Sequence, residues 1–396
     1  MSETHSIEQS NSQEQDDAQA LRNWPQLLDN LSYANGEPEV FADIKASPED
    51  FVVTEQMDVE PTGEGEHIWL DITKVRRNTD AVAKSLARFA GVANRDVGYS
   101  GLKDFDAVTR QWFSVWRPKG APLDLDNYQF DGVTINSIKS HSRKIKRGTH
   151  RSNHFQIRLK ALELHSEVLG TRALNDDALD LSDLKSSLEA RLNAIQKIGA
   201  PNYFGTQRFG RNAGNLPQAL AMFNGDKRVK DRNLRGILLS SARSWLFNSV
   251  LSQRIVNGSW QRLFIGEPAN LDSTNSVFTV ENELADVERL KRLDIHPTAP
   301  LWGQGSKESI SGFSEELLNL ETTAMAPYAD LQIGVENARI DYQRRAIRLA
   351  AKKLTWRYEQ TESNQIDCIL DFELNRGQFA TSILRELVSI RPKPVN

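Results

Sequence analysis

The most chemically suggestive stretch of this chain is a glycine-containing turn that delivers a Lys–Asp pair into a strand. It reads GYSGLKDFDAVTRQWFSVW from Gly98 to Trp116, with Lys103 and Asp104 in the turn and Thr109 and Gln111 leading into the strand. An acid at a loop–strand junction projects into a cleft while its neighbours hold it rigid. Such an aspartate acts as a nucleophile toward a sugar carbon or as a base toward a sugar proton. Other chemistries find little support. There is no GxxxxGK[ST] loop, no strand–GxGxxG–helix unit, no HExxH and no GxSxG elbow. The single cysteine, Cys368, lies inside a strand pattern and excludes an internal disulfide or a multi-cysteine metal site. His150 and His154 have i, i+4 spacing, but they stand in a basic stretch without a nearby carboxylate, at the entrance to a strand. No metal is expected there. His67 and Cys368 read as strand-face residues without chemistry.

Charge distribution says more than the net value of −4. The first twenty residues hold five acids and no Lys or Arg, which leaves 49 basic against 48 acidic groups in the remainder. From Gly132 to Leu162 there are eight Lys or Arg and no acid, with Arg143, Lys144, Lys146 and Arg147 at the centre. A local field of that kind holds a phosphate backbone even on an anionic protein. Lys227–Arg243 and Arg339–Arg357 are further basic clusters, the second with the look of an ordinary basic helix surface.

These groups need elements to position them. Residues 1–23 form an acidic, Gln- and Ser-rich tail expected to be disordered, with order beginning near Trp24. Ile68, Leu70 and Ile72 alternate with Trp69, Asp71 and Thr73, as in a half-buried strand. Asn78 or Thr79 caps a helix with Val82, Leu86 and Phe89 on its apolar side, stopped at Gly91. Strands follow near Gln111–Trp116 and at Phe155, Ile157 and Leu159. Leu184, Leu188, Leu192 and Ile195 mark a helix from about Ser182. Gly236–Asn257 reads as a long helix. Ile366, Cys368, Leu370, Phe372 and Leu374 alternate as a strand, and a short helix runs from Thr381 to Ser389. Strands at both ends and helices in the middle suggest an α+β chain: one sheet domain built from both termini, with a largely helical insertion.

Gly101–Trp112 resembles the GxKDxxAVTxQW pattern around the catalytic aspartate of the TruD family of pseudouridine synthases. Four more segments match that family in order: SPEDFVVTE (Ser47–Glu55, preceded by Lys45), NHFQIRL (Asn153–Leu159), PNYFGTQRFG (Pro201–Gly210) and GQFATSILREL (Gly377–Leu387). The resemblance covers about 32–387. It implies a pseudouridine-synthase catalytic domain, a mixed, mostly antiparallel sheet flanked by helices, over 24–198 and 346–391. A family-specific TRUD domain is inserted at 199–345, and tRNA lies between the two.

By the same resemblance, Asp104 is the catalytic carboxylate, and Phe51, Asn153 and Phe379 contact the substrate. Lys45, Phe155 and Arg385 line the cleft. The residue types suit those roles. An extruded uridine stacks on an aromatic face, Asn153 offers donors and an acceptor to the uracil edge, and Lys45 or Arg385 keeps a buried Asp ionised. Lys103 is the weaker partner, because adjacent residues in extended chain point apart. Arg143, Lys144, Lys146 and Arg147 would meet the RNA backbone. The implied reaction isomerises uridine to pseudouridine, at uridine 13 in the D-arm of tRNA, without cofactor, metal or obligate protein partner. Two rivals are an RNA-binding protein that lost catalysis, which intact Asp104, Thr109 and Gln111 argue against, and a uridine methyltransferase, for which no donor site is evident. No apolar run approaches the roughly 18–20 residues that span a bilayer, and the N-terminus lacks the marks of a signal peptide. A cytoplasmic location is expected.

Overall fold

The structure, a computed structural model, describes residues 22–117, 123–165, 177–274 and 276–391. The acidic tail over 1–21 lies outside the described residues. The chain divides into two compact units: 37–200 with 350 onward, and the residues up to Gly36 with Pro201–Leu349.

In the first unit, ten strands form one sheet among the described residues. They are β1 (Val40–Asp43), β2 (Phe51–Gln56), β3 (His67–Val75), β4 (Val97–Tyr99), β5 (Val108–Trp116), β6 (Val133–His141), β7 (Ser152–Leu164), β8 (Lys352–Gln360), β9 (Ile366–Asn375) and β10 (Ser389–Ile390). Their order is β8-β9-β7-β2-β5-β3-β6, with β1 beside β7 and β10, and β4 beside β5. Only the β2/β5 and β1/β10 pairs are parallel. This is the mixed, mostly antiparallel sheet of an α+β fold. Its helices are α1 (Thr79–Phe89), α2 (Asp177–Ile198) and α3 (Ala380–Leu387).

Helix α1 follows directly from its sequence. Val82 and Leu86 fall on one face and are buried against Ile68, Leu70, Ile72, Phe113 and Val115. Truncating a buried leucine such as Leu86 to alanine costs about 2–5 kcal/mol. Gly91 ends the segment with a positive φ of 65°, a conformation open to glycine without penalty. Helix α2 begins at Asp177, before the expected Ser182, and buries Leu184, Leu188, Leu192 and Ile195 as the spacing predicts.

Strand β3 departs from the half-buried expectation. Trp69 and Asp71 are buried as well as their apolar neighbours, because Trp112 and His141 pack against the Trp69 ring and Arg110 pairs with the Asp71 carboxylate. The Trp69 indole packs on His141, with ring centroids 4.4 Å apart, and donates its N–H to the Arg143 carbonyl at 2.8 Å.

The second unit is built around the helix Arg232–Val256, whose first turn is capped by the Asp231 carboxylate, which accepts from the Asn233 N–H at 2.8 Å. Helices Asn215–Phe223, Glu315–Met325 and Ala329–Asn337 pack on it. Residues 24–36 belong here rather than with the sheet, where the sequence reading placed them. Trp24 meets Trp245 edge-on at 5.5 Å, and Arg22, expected in the disordered tail, pairs with Asp330 at 2.9 Å.

The basic cluster Arg339–Arg357 is not a helix surface. It forms short strands, and Arg344 is buried in an ion pair with Glu321 at 2.6 Å. Arg345 lies over the Phe204 ring at 4.3 Å and donates to Asn202 Oδ1 at 2.8 Å. The PNYFGTQRFG loop is likewise a structural joint. Asn202 donates to the Ala346 carbonyl at 2.8 Å, and Asn248 clamps both backbone groups of Phe204 at 2.9 Å. Among the described residues, no helix is long and apolar enough to cross a membrane.

Candidate active site

Strand register gathers polar residues on one face of the sheet. Val53, Thr109 and Lys74 lie opposite one another across β2, β5 and β3, while Phe155 pairs with Val53 and Asn153 with Glu55. Along β3, Lys74 continues the buried stripe of Ile68, Leu70 and Ile72. Along β5, Thr109 and Gln111 continue that of Phe113 and Val115. The apolar core thus ends in a buried polar patch, and the turn carrying Asp104 sits on it.

Four separate contacts fix that turn. Gln111 Nε2 donates to the Gly101 carbonyl at 3.1 Å. Thr79 Oγ1 accepts the Lys103 N–H and donates to Gln111 Oε1, both at 3.1 Å. Lys103 turns away from Asp104 to a buried ion pair with Glu55 at 2.8 Å, and Glu55 also accepts the Trp112 N–H at 3.2 Å. The Lys74 ammonium donates to the Asp104 carbonyl at 3.0 Å. Burial pushes the Lys74 amine down to about 8, with the Asp104 charge opposing and Lys103 reinforcing the shift. A carboxylate held this way needs little rearrangement at the moment of reaction.

The Asp104 carboxylate faces Lys45, whose Nζ lies 3.6 Å from Oδ1. The same ammonium stands 4.0 Å above the Phe51 ring, so Asp104, Lys45 and Phe51 form one group. Lys45 has a φ of 53°, left-handed without being glycine, a strain of order 1 kcal/mol that recurs at functional sites. The adjoining SPED segment is a short helical turn in which the Ser47 N–H donates to Asp50 Oδ2 at 2.7 Å, and it launches Phe51 into β2. The Asp104 side chain is 37% exposed, more open than the buried carboxylate the sequence suggested.

The other sequence-derived residues differ in kind. Phe155 is buried, stacked on Phe372 at 5.4 Å and edge-on to Phe51 at 6.2 Å, and so it packs the floor. Phe51 is only 2% exposed, whereas Phe379 is 39% exposed and offers an open ring. The turn before Phe379 is tied to this end of the sheet: the Arg376 N–H donates to the Arg151 carbonyl at 3.2 Å, and Leu374 and Asn375 pair with Asn153 and Ser152. Asn153 Oδ1 and Thr109 Oγ1 are buried without a hydrogen-bond partner. Arg385 lies on α3 with its guanidinium 3.2 Å from Glu386 Oε1.

His150 and His154 part company: His154 Nε2 meets Asp371 at 2.8 Å, and His150 Nδ1 lies 2.5 Å from Ser100 Oγ. Of the basic loop between β6 and β7, Ile145 is its buried anchor, its N–H donating to Ser114 Oγ at 2.9 Å. Arg143 and Lys146 are exposed. Arg147 stacks 4.2 Å over Tyr99, and Lys144 donates to the Arg95 carbonyl.

Sequence reasoning passed over Lys74, Glu55 and Ser100 as supports. The signal was present for two of them: Lys74 and Glu55 each occupy the next position of a period-two apolar stripe, where a charge is expensive unless it is paired.

The family profile described as tRNA pseudouridine synthase D (TruD) matches residues 28–226 and 221–387. The tRNA pseudouridine synthase D of Methylococcus capsulatus is 40% identical over 367 residues, covering 92% of this chain and 96% of that one. That of Aeromonas hydrophila is 40% identical over 363 residues, covering 91% and 95%. A solved structure from Methanosarcina mazei described as tRNA pseudouridine synthase D shares the fold with a TM-score of 0.64 at 17% identity, covering 90% of this chain and 95% of that one.

Proposed function

This chain belongs to the tRNA pseudouridine synthase D family, and on that premise we propose that it isomerises uridine to pseudouridine in tRNA, at uridine 13 of the D-arm, with Asp104 as the reacting carboxylate. The reaction breaks the bond between N1 and the ribose, turns the base and joins C5 to the same sugar carbon. C5 loses its hydrogen and N1 gains one, so no oxidant, reductant or second substrate is consumed. The work left to the protein is to hold a base out of its stack and to present a fixed carboxylate to the nucleotide.

The observation that carries this reading is the convergence on Asp104. Its carbonyl is held by Lys74, its carboxylate faces Lys45, and its turn is tied down by Thr79 and Gln111. Lys45 sets a positive charge beside the carboxylate, 3.6 Å from Oδ1. Phe379 supplies the exposed ring for stacking, Phe51 and Phe155 form the floor, and Asn153 Oδ1 is an unfilled acceptor for the uracil edge. Arg385, in the same motif as Phe379, lines the cleft. Arg143, Lys144, Lys146 and Arg147 meet backbone phosphates, and the unit holding 201–349 is the inserted TRUD domain.

Tritium release from tRNA carrying 5-tritiated uridine tests the reading, because the label leaves only when C5 becomes the attachment point. Wild-type protein should release one equivalent per target site. Asp104→Asn should release none while its tRNA affinity stays within several-fold, since shape and phosphate contacts persist. Release by the variant at more than a few per cent of the wild-type rate removes Asp104 from its role.

A further inference from the structure

Beside the Asp104 turn runs a buried polar chain that the reaction itself does not use. The His150 backbone N–H donates to Ser100 Oγ at 2.7 Å, and the His150 ring returns to the same oxygen, with Nδ1 at 2.5 Å. Nδ1 also faces the Glu55 carboxylate at 4.0 Å. Gly101 borders this ring: a Cβ there would stand 3.4 Å from His150 Cε1, an ordinary contact. At the far side of the imidazole, Nε2 stands 3.5 Å from Asn153 Nδ2.

The tautomer follows from these neighbours. The Ser100 hydroxyl can accept from a protonated Nδ1 or donate to a bare one; the Glu55 carboxylate 4.0 Å from the same nitrogen favours the N–H, which assigns the proton to Nδ1. Burial, aided by the charges of Lys103 and Arg376, pushes His150 down to about 4, so the ring is neutral near pH 7. A neutral imidazole protonated on Nδ1 has a lone pair on Nε2. The partner it can take is the Asn153 amide NH2. That choice fixes the amide flip and turns Oδ1 the other way, where it is buried without a partner.

We infer that His150 is a positioning residue which, held by Ser100 and Glu55, locks the Asn153 amide with its oxygen offered to the base, so that the site accepts the N3–H of uracil and rejects cytosine, whose N3 is itself an acceptor. This deepens the proposed function and rests on its reading that Asn153 meets the extruded base. Were the imidazole protonated on Nε2, the amide would flip and present its NH2, and the preference would invert.

Two measurements test it. In protein labelled with 15N-histidine, long-range proton–nitrogen spectra near pH 7 should show His150, assigned by the loss of its signals in His150→Gln, with a protonated Nδ1 and a bare Nε2. A protonated Nε2 overturns the inference. The second uses Asp104→Asn to isolate recognition from turnover, with tRNAs bearing U or C at the target position. Asp104→Asn should favour U by at least about tenfold. Adding His150→Phe should remove most of that preference while leaving the affinity common to both tRNAs unchanged. His150→Gln, whose carbonyl also accepts from the Asn153 amide, should keep part of it. A His150→Phe variant that still discriminates fully refutes the role. Wild-type protein that forms no pseudouridine in any tRNA refutes the functional reading, and this inference falls with it.

Discussion

Thr79→Val removes one hydroxyl from beneath the active-site turn and changes almost nothing else. Valine has the shape of threonine, and the site is buried at 1% exposure in the first turn of α1. Two hydrogen bonds of 3.1 Å disappear, one to the Lys103 N–H and one to Gln111 Oε1. Each leaves a buried polar atom unpaired, at a cost of about 1–3 kcal/mol apiece. Partial relaxation of the turn brings the expected loss to about 2–4 kcal/mol, read from denaturant unfolding.

Activity should suffer more than binding. Lys74 and Glu55 still hold the turn, so Asp104 is loosened rather than released, and a displacement near 1 Å costs up to about 100-fold. The single-turnover rate of tritium release should therefore fall about 10- to 100-fold, with the tRNA Kd within about twofold. Thr79→Ser, which restores the hydroxyl, should recover most of the rate. A valine variant that is destabilised as expected but turns over at the wild-type rate would falsify the claim that this bridge places Asp104. Unchanged stability would show that the two bonds contribute nothing.

Neutralising Arg143, Lys144, Lys146 and Arg147 together should weaken tRNA binding and flatten its logarithmic salt slope by up to about 3; unaltered affinity at low salt would make the loop merely solvated. Because Arg147 stacks on Tyr99 and Lys144 holds the Arg95 carbonyl, the exposed pair Arg143 and Lys146 should lower affinity without affecting stability. For His150, the folded pKa of about 4 lies below the ordinary 6.5, so the unfolded chain takes up the proton first on acidification. Its contribution to stability is complete above pH 6.5 and is lost as pH falls toward 4; denaturation midpoints across that window should decline less steeply in His150→Gln, and equal slopes would discount the shift. The Cys368 thiol, buried in β9, is pushed up to about 12, by burial first and then by the Glu189 charge. It should react with an aromatic disulfide reagent only at the rate of unfolding, and rapid native-state labelling would contradict its placement.

Local pattern was enough wherever neighbours in sequence are neighbours in space. The 3.6-residue stripe of Val82 and Leu86, the alternation from Ile366 to Leu374, and the Asp104 turn with its downstream strand are all legible in the sequence. What pattern could not supply was the partner of each buried charge. Lys103 and Glu55 are 48 residues apart, and His154 and Asp371 are 217 apart. Only strand register brings such pairs together. Arg344 and Arg345 looked like part of a solvated surface for the same reason: the acid and the aromatic ring that cover them, Glu321 and Phe204, come from other segments.

The sequence by itself determined most of the elements and the α+β class, because those depend on periodicity and on residues a few positions apart, and its motif resemblance singled out Asp104 as the candidate acid. Tertiary structure alone decided which cation faces Asp104, which phenylalanine stays open, and which acid Lys103 pairs with. Each of those is a choice among partners that the chain brings within hydrogen-bonding distance only when β2, β5, β7 and β9 close on one another.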